Sequence, residues 1–170
     1  STQHHFEAVK WLEKVVKLLD VVQPAPKTHS EAWFSPGTDC ADAILGAIAS
    51  ARHTIQVCVF TISDDRISHA LLDAHHRNVR VRVITDDEKA LDMGSDVHWL
   101  QKKGIPVKYD NDPGHMHHKF AVFDGQVVIH GSFNWTRSAS TQNWEDISVQ
   151  EDATLVTAFA QHFEYLWHTF

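Results

Sequence analysis

Only two cysteines occur among the 170 residues, so at most one disulfide within the chain is available and the fold must rest on an apolar core. Cys58 lies inside the apolar run Val57-Cys58-Val59-Phe60, where a buried free thiol is the expected state. No apolar run reaches the roughly 18 residues that a membrane-spanning helix needs. No basic segment followed by an apolar stretch opens the chain either. A soluble chain without an integral membrane segment is expected, its compartment left open. Positive charge is also scarce: 15 Lys and Arg stand against 22 Asp and Glu, a formal net charge of −7. That excludes a protein that coats nucleic acid through an overall basic surface, and any polyanion site must be local. The 14 histidines make this balance sensitive to mild acid.

What is present suits one layered domain, since 43% hydrophobic and 22% charged residues leave material for a core. Phe6, Val9, Leu12, Val16, Leu19 and Val22 recur at spacings of three and four, which predicts an amphipathic helix over residues 4–22. Pro24 and Pro26 then mark a linker or turn. The expected division is residues 1–30, helix and linker, and residues 31–170, the domain proper. From Ala32 the patterns alternate: strand to Phe34, helix Asp39–Ala51, β-rich run Thr54–Ile62, helix Asp65–His76, strand Val79–Ile84, helix Asp96–Lys103 and strand near Val107. A hairpin follows, His118–Phe123 and Gln126–Ile129 about the turn Asp124-Gly125. A strand over Ile147–Gln150 and a helix over Asp152–His168 close the chain. This is the rhythm of an α/β sandwich.

The densest polar cluster is His115-Met116-His117-His118-Lys119. In an extended segment, His115, His117 and Lys119 share one face and His118 turns away. A lysine on that face is a poor companion for a dication, and no Cys pair or Asp/Glu ligand is expected close by, so no metal is expected. An ammonium beside an imidazole suits a phosphate instead, with one neutralising an oxygen while the other attacks or protonates. Downstream, Gly131-Ser132-Phe133-Asn134 offers close backbone approach and short neutral donors for an oxyanion.

Together His117, Lys119, Asp124, Gly131, Ser132 and Asn134 form H-x-K-x4-D-x6-G-S-x-N, which resembles the HKD signature of the phospholipase D superfamily. The resemblance extends over residues 32–169, through Val57–Ile62, Val79–Asp87 and Asn134-Trp135-Thr136. Those segments look like the single-motif branch that holds bacterial endonucleases and mitochondrial cardiolipin hydrolases. It implies a phospholipase-D-like sandwich with a central mixed sheet flanked by helices, a phosphohistidine on His117, and no cofactor or metal. Phosphate contacts fall to Lys119, Ser132 and Asn134, with Gly131 shaping the loop, and Glu145 is implied to orient His117. Asp124 is expected to serve the hairpin turn more than the chemistry. The sequence lacks the Cys/His zinc-binding insertion of the mitochondrial branch and shows no membrane anchor ahead of the domain.

One motif implies two chains. In-line displacement needs a nucleophile and an acid on opposite sides of phosphorus. No second His-x-Lys exists, so the acid is expected from His117 of a second copy in a symmetric homodimer. His130 of the same chain is the competing acid. The first expectation for substrate is DNA or RNA cut by an endonuclease; the alternative is a phospholipase acting on a phosphatidyl diester such as cardiolipin, and a catalytically idle binding module is the third reading. Arg77, Arg80, Arg82, Lys102, Lys103 and Lys108 are weighed as a nucleic-acid groove, but Asp86, Asp87, Asp92 and Asp96 favour a mixed solvated surface.

Overall fold

A computed structural model describes residues 2–22 and 28–170. In chain order the elements are α1 (Thr2–Val22), β1 (Ser30–Phe34), α2 (Asp39–Ser50), β2 (Thr54–Val59), β3 (Ile62–Ser63), α3 (Asp65–His76), β4 (Arg80–Thr85), α4 (Asp87–Ala90) and α5 (Val97–Lys102). Then come β5 (Val107–Tyr109), β6 (Lys119–Phe123), β7 (Val127–Gly131), β8 (Trp135–Thr136), α6 (Arg137–Thr141), β9 (Asp146–Gln150) and α7 (Ala153–Thr169). The proline linker expected at Pro24 and Pro26 lies outside the described residues. In α1 the stripe Phe6, Val9, Leu12 and Val16 is present but exposed.

Seven strands form one mixed sheet in the order β1-β9-β7-β6-β2-β4-β5. The β2–β4 and β4–β5 pairs are parallel, whereas the pairs joining β1, β9, β7, β6 and β2 are antiparallel. The two faces are covered differently, and β2 shows how the sequence dictates this. Ile55, Val57 and Val59 point into a large core with Ile44 and Ile48 of α2 and Leu71 of α3. Cys58 points the other way, to Phe120, Val122, Phe163 and Leu166 beneath α7. Alternation at period two thus explains why a nearly continuous apolar run feeds two cores. Each fully buried Ile, Leu or Phe contributes roughly 1.5–3 kcal/mol. Cys40 and Cys58 belong to these separate cores and both are free thiols. Burial, reinforced by Asp39, pushes the Cys40 thiol up to about 11.

The β-rich run expected over Thr54–Ile62 divides at Phe60-Thr61, because β3 leaves the main sheet to pair with β8. The divided strand ends beside the site, since Phe60 N–H donates to the His118 carbonyl at 3.0 Å. The hairpin after β6 follows the expected turn. Asp124 and Gly125 take φ of 53° and 64°, and Gln126 N–H donates to the Phe123 carbonyl. Positive φ at both central residues matches the right-handed twist of the strands.

Sheet order and direction bring one end of every central strand to a single edge. Phe34 pairs with Asp146, Gly131 with Ile147, and Lys119 with Val59. Across that edge lie, in turn, Phe34, Glu145 and Asp146, Ser132, Lys119, Phe60, Asp86 and Asp110. At about 4.8 Å per strand, neighbouring groups are spaced for contact with one extended ligand.

Candidate active site

The extended segment before β6 obeys the predicted alternation. The His115 and His117 rings lie 5.7 and 4.6 Å from the Phe60 ring, and Lys119 Nζ lies 5.2 Å from the same ring. His118 turns to the other face, where its Nε2 is 3.1 Å from His162 Nε2 on α7. Lys119 Nζ stands 2.9 Å from His117 Nδ1 and donates to the His117 carbonyl at 2.8 Å. Desolvation, with the positive field of Lys119 and then of His115, holds the His117 pKa below its ordinary value; Asp86 opposes this in part. The shift favours the neutral imidazole, which is the nucleophilic form. Desolvation also lowers Lys119, while Glu145 pulls it upward.

Gly131 is required by close approach. A Cβ there would stand 2.2 Å from the Asp146 carbonyl oxygen and 2.9 Å from Ile147 Cα. This contact seats the next residue: Ser132 N–H donates to the Asp146 carbonyl at 3.1 Å, and Ser132 Oγ donates to Glu145 Oε2 at 2.5 Å. Asn143 Nδ2 donates to the other Glu145 oxygen at 3.1 Å. Asn134 follows on the same loop, its Oδ1 buried and without a partner among the described residues.

The structure thus gathers His117, Lys119, Gly131, Ser132, Asn134 and Glu145 at one edge of the sheet. It does not gather Asp124. Five residues of strand, about 17 Å at 3.4 Å each, separate it from Lys119, and its carboxylate accepts from the backbone N–H groups of Arg52, His53 and Thr54 at 2.7–2.8 Å. Burial would raise its pKa, but these three donors outweigh it and the net shift is downward. Asp124 is a clamp between the hairpin turn and the start of β2. The Glu145 carboxylate accepts from Ser132 and Asn143, and within the single chain no hydrogen bond joins it to His117.

The carboxylate beside the histidine segment is one that sequence spacing could not show. Asp86, fully buried at the end of β4, lies 2.9 Å from His115 Nδ1. The expectation that no carboxylate stands near these histidines is therefore corrected; parallel pairing carries Asp86 there from 29 residues away. Oxygens of Asp86, Asp87 and Asp110 lie within 4.8 Å of one another. Asp86 caps α4 through Lys89 N–H, and Asp110 accepts from Asp87 and Met116 N–H, so backbone donors anchor these two. Three of the six basic residues weighed as a groove are committed elsewhere. Arg82 pairs with Glu164 and lies over Phe163 and Trp167, Lys108 donates to the Trp167 carbonyl, and Arg77 donates to the Ile48 carbonyl.

A family profile described as "Cardiolipin synthase, PLD-like domain" matches residues 44–167. The chain belongs to the phospholipase D superfamily. It is 39% identical over 157 residues to a protein of Xenopus laevis named mitochondrial cardiolipin hydrolase, covering 86% of this chain and 75% of that one. It is 45% identical over 126 residues to the Chlamydomonas reinhardtii protein of the same name, covering 74% of this chain but 56% of that one. Among solved structures it resembles a phospholipase D family member, Nuc from Salmonella typhimurium. The TM-score is 0.78 at 28% identity, over 84% of this chain and 95% of that one. The mixed sheet flanked by helices is thus the superfamily fold.

Proposed function

We propose that this superfamily member is a metal-independent phosphodiesterase in which His117 attacks phosphorus, and that it acts as a homodimeric endonuclease on DNA or RNA. The observation that carries this reading is the His117 imidazole held against the Lys119 ammonium at 2.9 Å. In the first step the His117 nitrogen lone pair forms a bond to phosphorus, and the bond to the leaving oxygen breaks. That oxygen takes a proton from the protonated His117 of the second copy. Water then attacks the phosphohistidine, giving its proton to the second copy's now neutral imidazole, and the P–N bond breaks to restore the starting state. Lys119, Ser132 and Asn134 stabilise charge on the nonbridging oxygens.

Cleavage within a polymer is supported by the open edge. Clefts of about 260 and 250 Å³ flank His117 and His118 on two sides, one bounded by Lys119, His130 and Phe159, the other by Asp110, Gly114 and Leu166. A diester whose chain continues in both directions fits such an arrangement. Hydrolysis of a phosphatidyl diester is the second reading, favoured by the shared name of relatives 39–45% identical to this chain. The test is an assay with EDTA present, comparing wild type and His117→Ala on labelled single-stranded DNA, single-stranded RNA and cardiolipin vesicles. Nucleic-acid cleavage abolished by the substitution is expected. Turnover of cardiolipin alone selects the second reading, and activity surviving His117→Ala defeats the mechanism.

A further inference from the structure

Two large aromatic side chains stand exposed at the same sheet edge without a role in the phosphate chemistry. Trp144 is 88% exposed and Phe34 is 65% exposed. They share a shallow cleft of about 500 Å³ with Ser35, Pro36, Glu145 and Asp146. Their backbones are stitched together: Ser35 N–H donates to the Glu145 carbonyl at 2.9 Å, Ser35 Oγ donates to the Asn143 carbonyl at 2.9 Å, and Glu145 N–H donates to Ser35 Oγ at 3.1 Å. The aromatic pair is therefore displayed on a braced backbone, which lowers the ordering cost of stacking a ligand on it. The cleft adjoins the phosphate site directly, because Glu145 both lines it and accepts from Ser132.

We propose that Trp144 and Phe34 form a base-stacking subsite that holds a nucleobase of single-stranded nucleic acid next to the scissile phosphate. This rests on the nuclease reading and deepens it. The chemistry of the cleft favours a base over an acyl chain. An acyl chain would strip water from the carboxylates of Glu145 and Asp146 and return no hydrogen bond. A base offers a flat π-face to the aromatics and N–H donors to the carboxylates. Position agrees as well. The β9 end lies two strands from β6, about 10 Å away, so the subsite takes a nucleoside close to the bond being cut.

The experiment compares wild type, Trp144→Ala, Phe34→Ala and Trp144→Phe on two substrates with EDTA present. One is a single-stranded oligonucleotide; the other is an oligomer of equal length with tetrahydrofuran spacers in place of all nucleosides. Stacking contributes about 1–3 kcal/mol per base, so Trp144→Ala should lower kcat/KM on the base-bearing oligomer by roughly 5- to 150-fold. The loss should fall mainly on KM, Trp144→Phe should recover most of it, and the spacer oligomer should be cut equally by all four proteins. Equal losses on both substrates, or none on either, overturn the subsite while leaving the nuclease reading intact. Sedimentation showing that Trp144→Ala changes the oligomeric state also overturns it, since the aromatics then belong to a contact between copies. Wild type that cuts neither oligomer but turns over cardiolipin vesicles overturns both.

Discussion

Gly131→Ala is the substitution whose effect follows most directly from the geometry. The new methyl would lie 2.2 Å from the Asp146 carbonyl oxygen, against 3.4–4 Å for ordinary contact. The end of β7 must therefore move from β9 by roughly 1 Å, an overpacking cost of about 1–3 kcal/mol. The neighbouring hydrogen bond from Ser132 N–H to the Asp146 carbonyl, 3.1 Å in the native chain, is stretched by the same shift and accounts for about 1 kcal/mol more. A total near 2–4 kcal/mol lowers the thermal midpoint by roughly 5–15 °C for a chain of this size. Activity should fall further than stability implies, because Ser132 and Glu145 move together and a misplacement of about 1 Å at a reacting centre costs about 100-fold. Gly46→Ala in α2 is the control: nothing lies within 4 Å of its Cβ position, and alanine there should be neutral or stabilising by about 1 kcal/mol. Thermal unfolding and kcat/KM measured below the midpoint check both. A Gly131→Ala protein that keeps its midpoint and its activity refutes the close-approach argument.

Other predictions concern charge and assembly. Asp124→Ala removes three backbone contacts made by a carboxylate and should cost about 2 kcal/mol in urea unfolding at pH 7, with activity unchanged wherever the protein stays folded. Because its folded pKa is depressed, that stability is present above the unfolded carboxylate value and is lost as pH falls through the folded one; the wild-type advantage should therefore shrink below about pH 4. An advantage constant down to strongly acidic pH counts against the clamp. NMR titration should find His117 below the ordinary histidine value, higher in Lys119→Met and lower still in Asp86→Asn, following the signs of those neighbours. Exchange of subunits between wild type and His117→Ala separates the two acid assignments. A composite site that needs both imidazoles leaves about a quarter of the activity at equal mixing, whereas independent sites with His130 as acid leave about half.

Much of this fold was legible in the residues. Alternating Val57, Cys58 and Val59 mark a strand buried on both faces, and Asp124-Gly125 marks a primed turn; both signals are local and survive folding. The site was legible where one short segment carries it, since His115, His117 and Lys119 share a face by period two. It was not legible where the sheet joins distant strands. Asp86 reaches His115 only through the pairing of β4 with β2 and of β2 with β6. Phe60 serves as the floor for two histidines only because the β-rich run breaks there, and the reason for that break is the pairing of β3 with β8 far along the chain. Glu145 shows a related limit. Its place at the site was implied by the family resemblance, but its hydrogen bonds depend on Ser132 and Asn143, each of which takes one carboxylate oxygen.

Under the proposed nuclease reading, the arrangement also explains how a chain of net charge −7 can serve polyanionic diesters. Four of its 15 Lys and Arg are neutralised in place: Arg66 by Asp64, Arg82 by Glu164, Arg137 by Asp65 and Lys89 by Asp92. Lys119 makes no ion pair among the described residues; its close partners are the His117 ring and carbonyl. At the sheet edge Lys119 thus stands between the carboxylates of Glu145 and Asp146 on one side and those of Asp86 and Asp110 on the other. A phosphate is attracted to one place on this edge and repelled from its flanks, so the charge pattern sets register more than affinity. Under the proposed two-fold assembly a second Lys119 joins the first at the same phosphate. Affinity then grows through pairing of copies, without any need for a basic surface on either one.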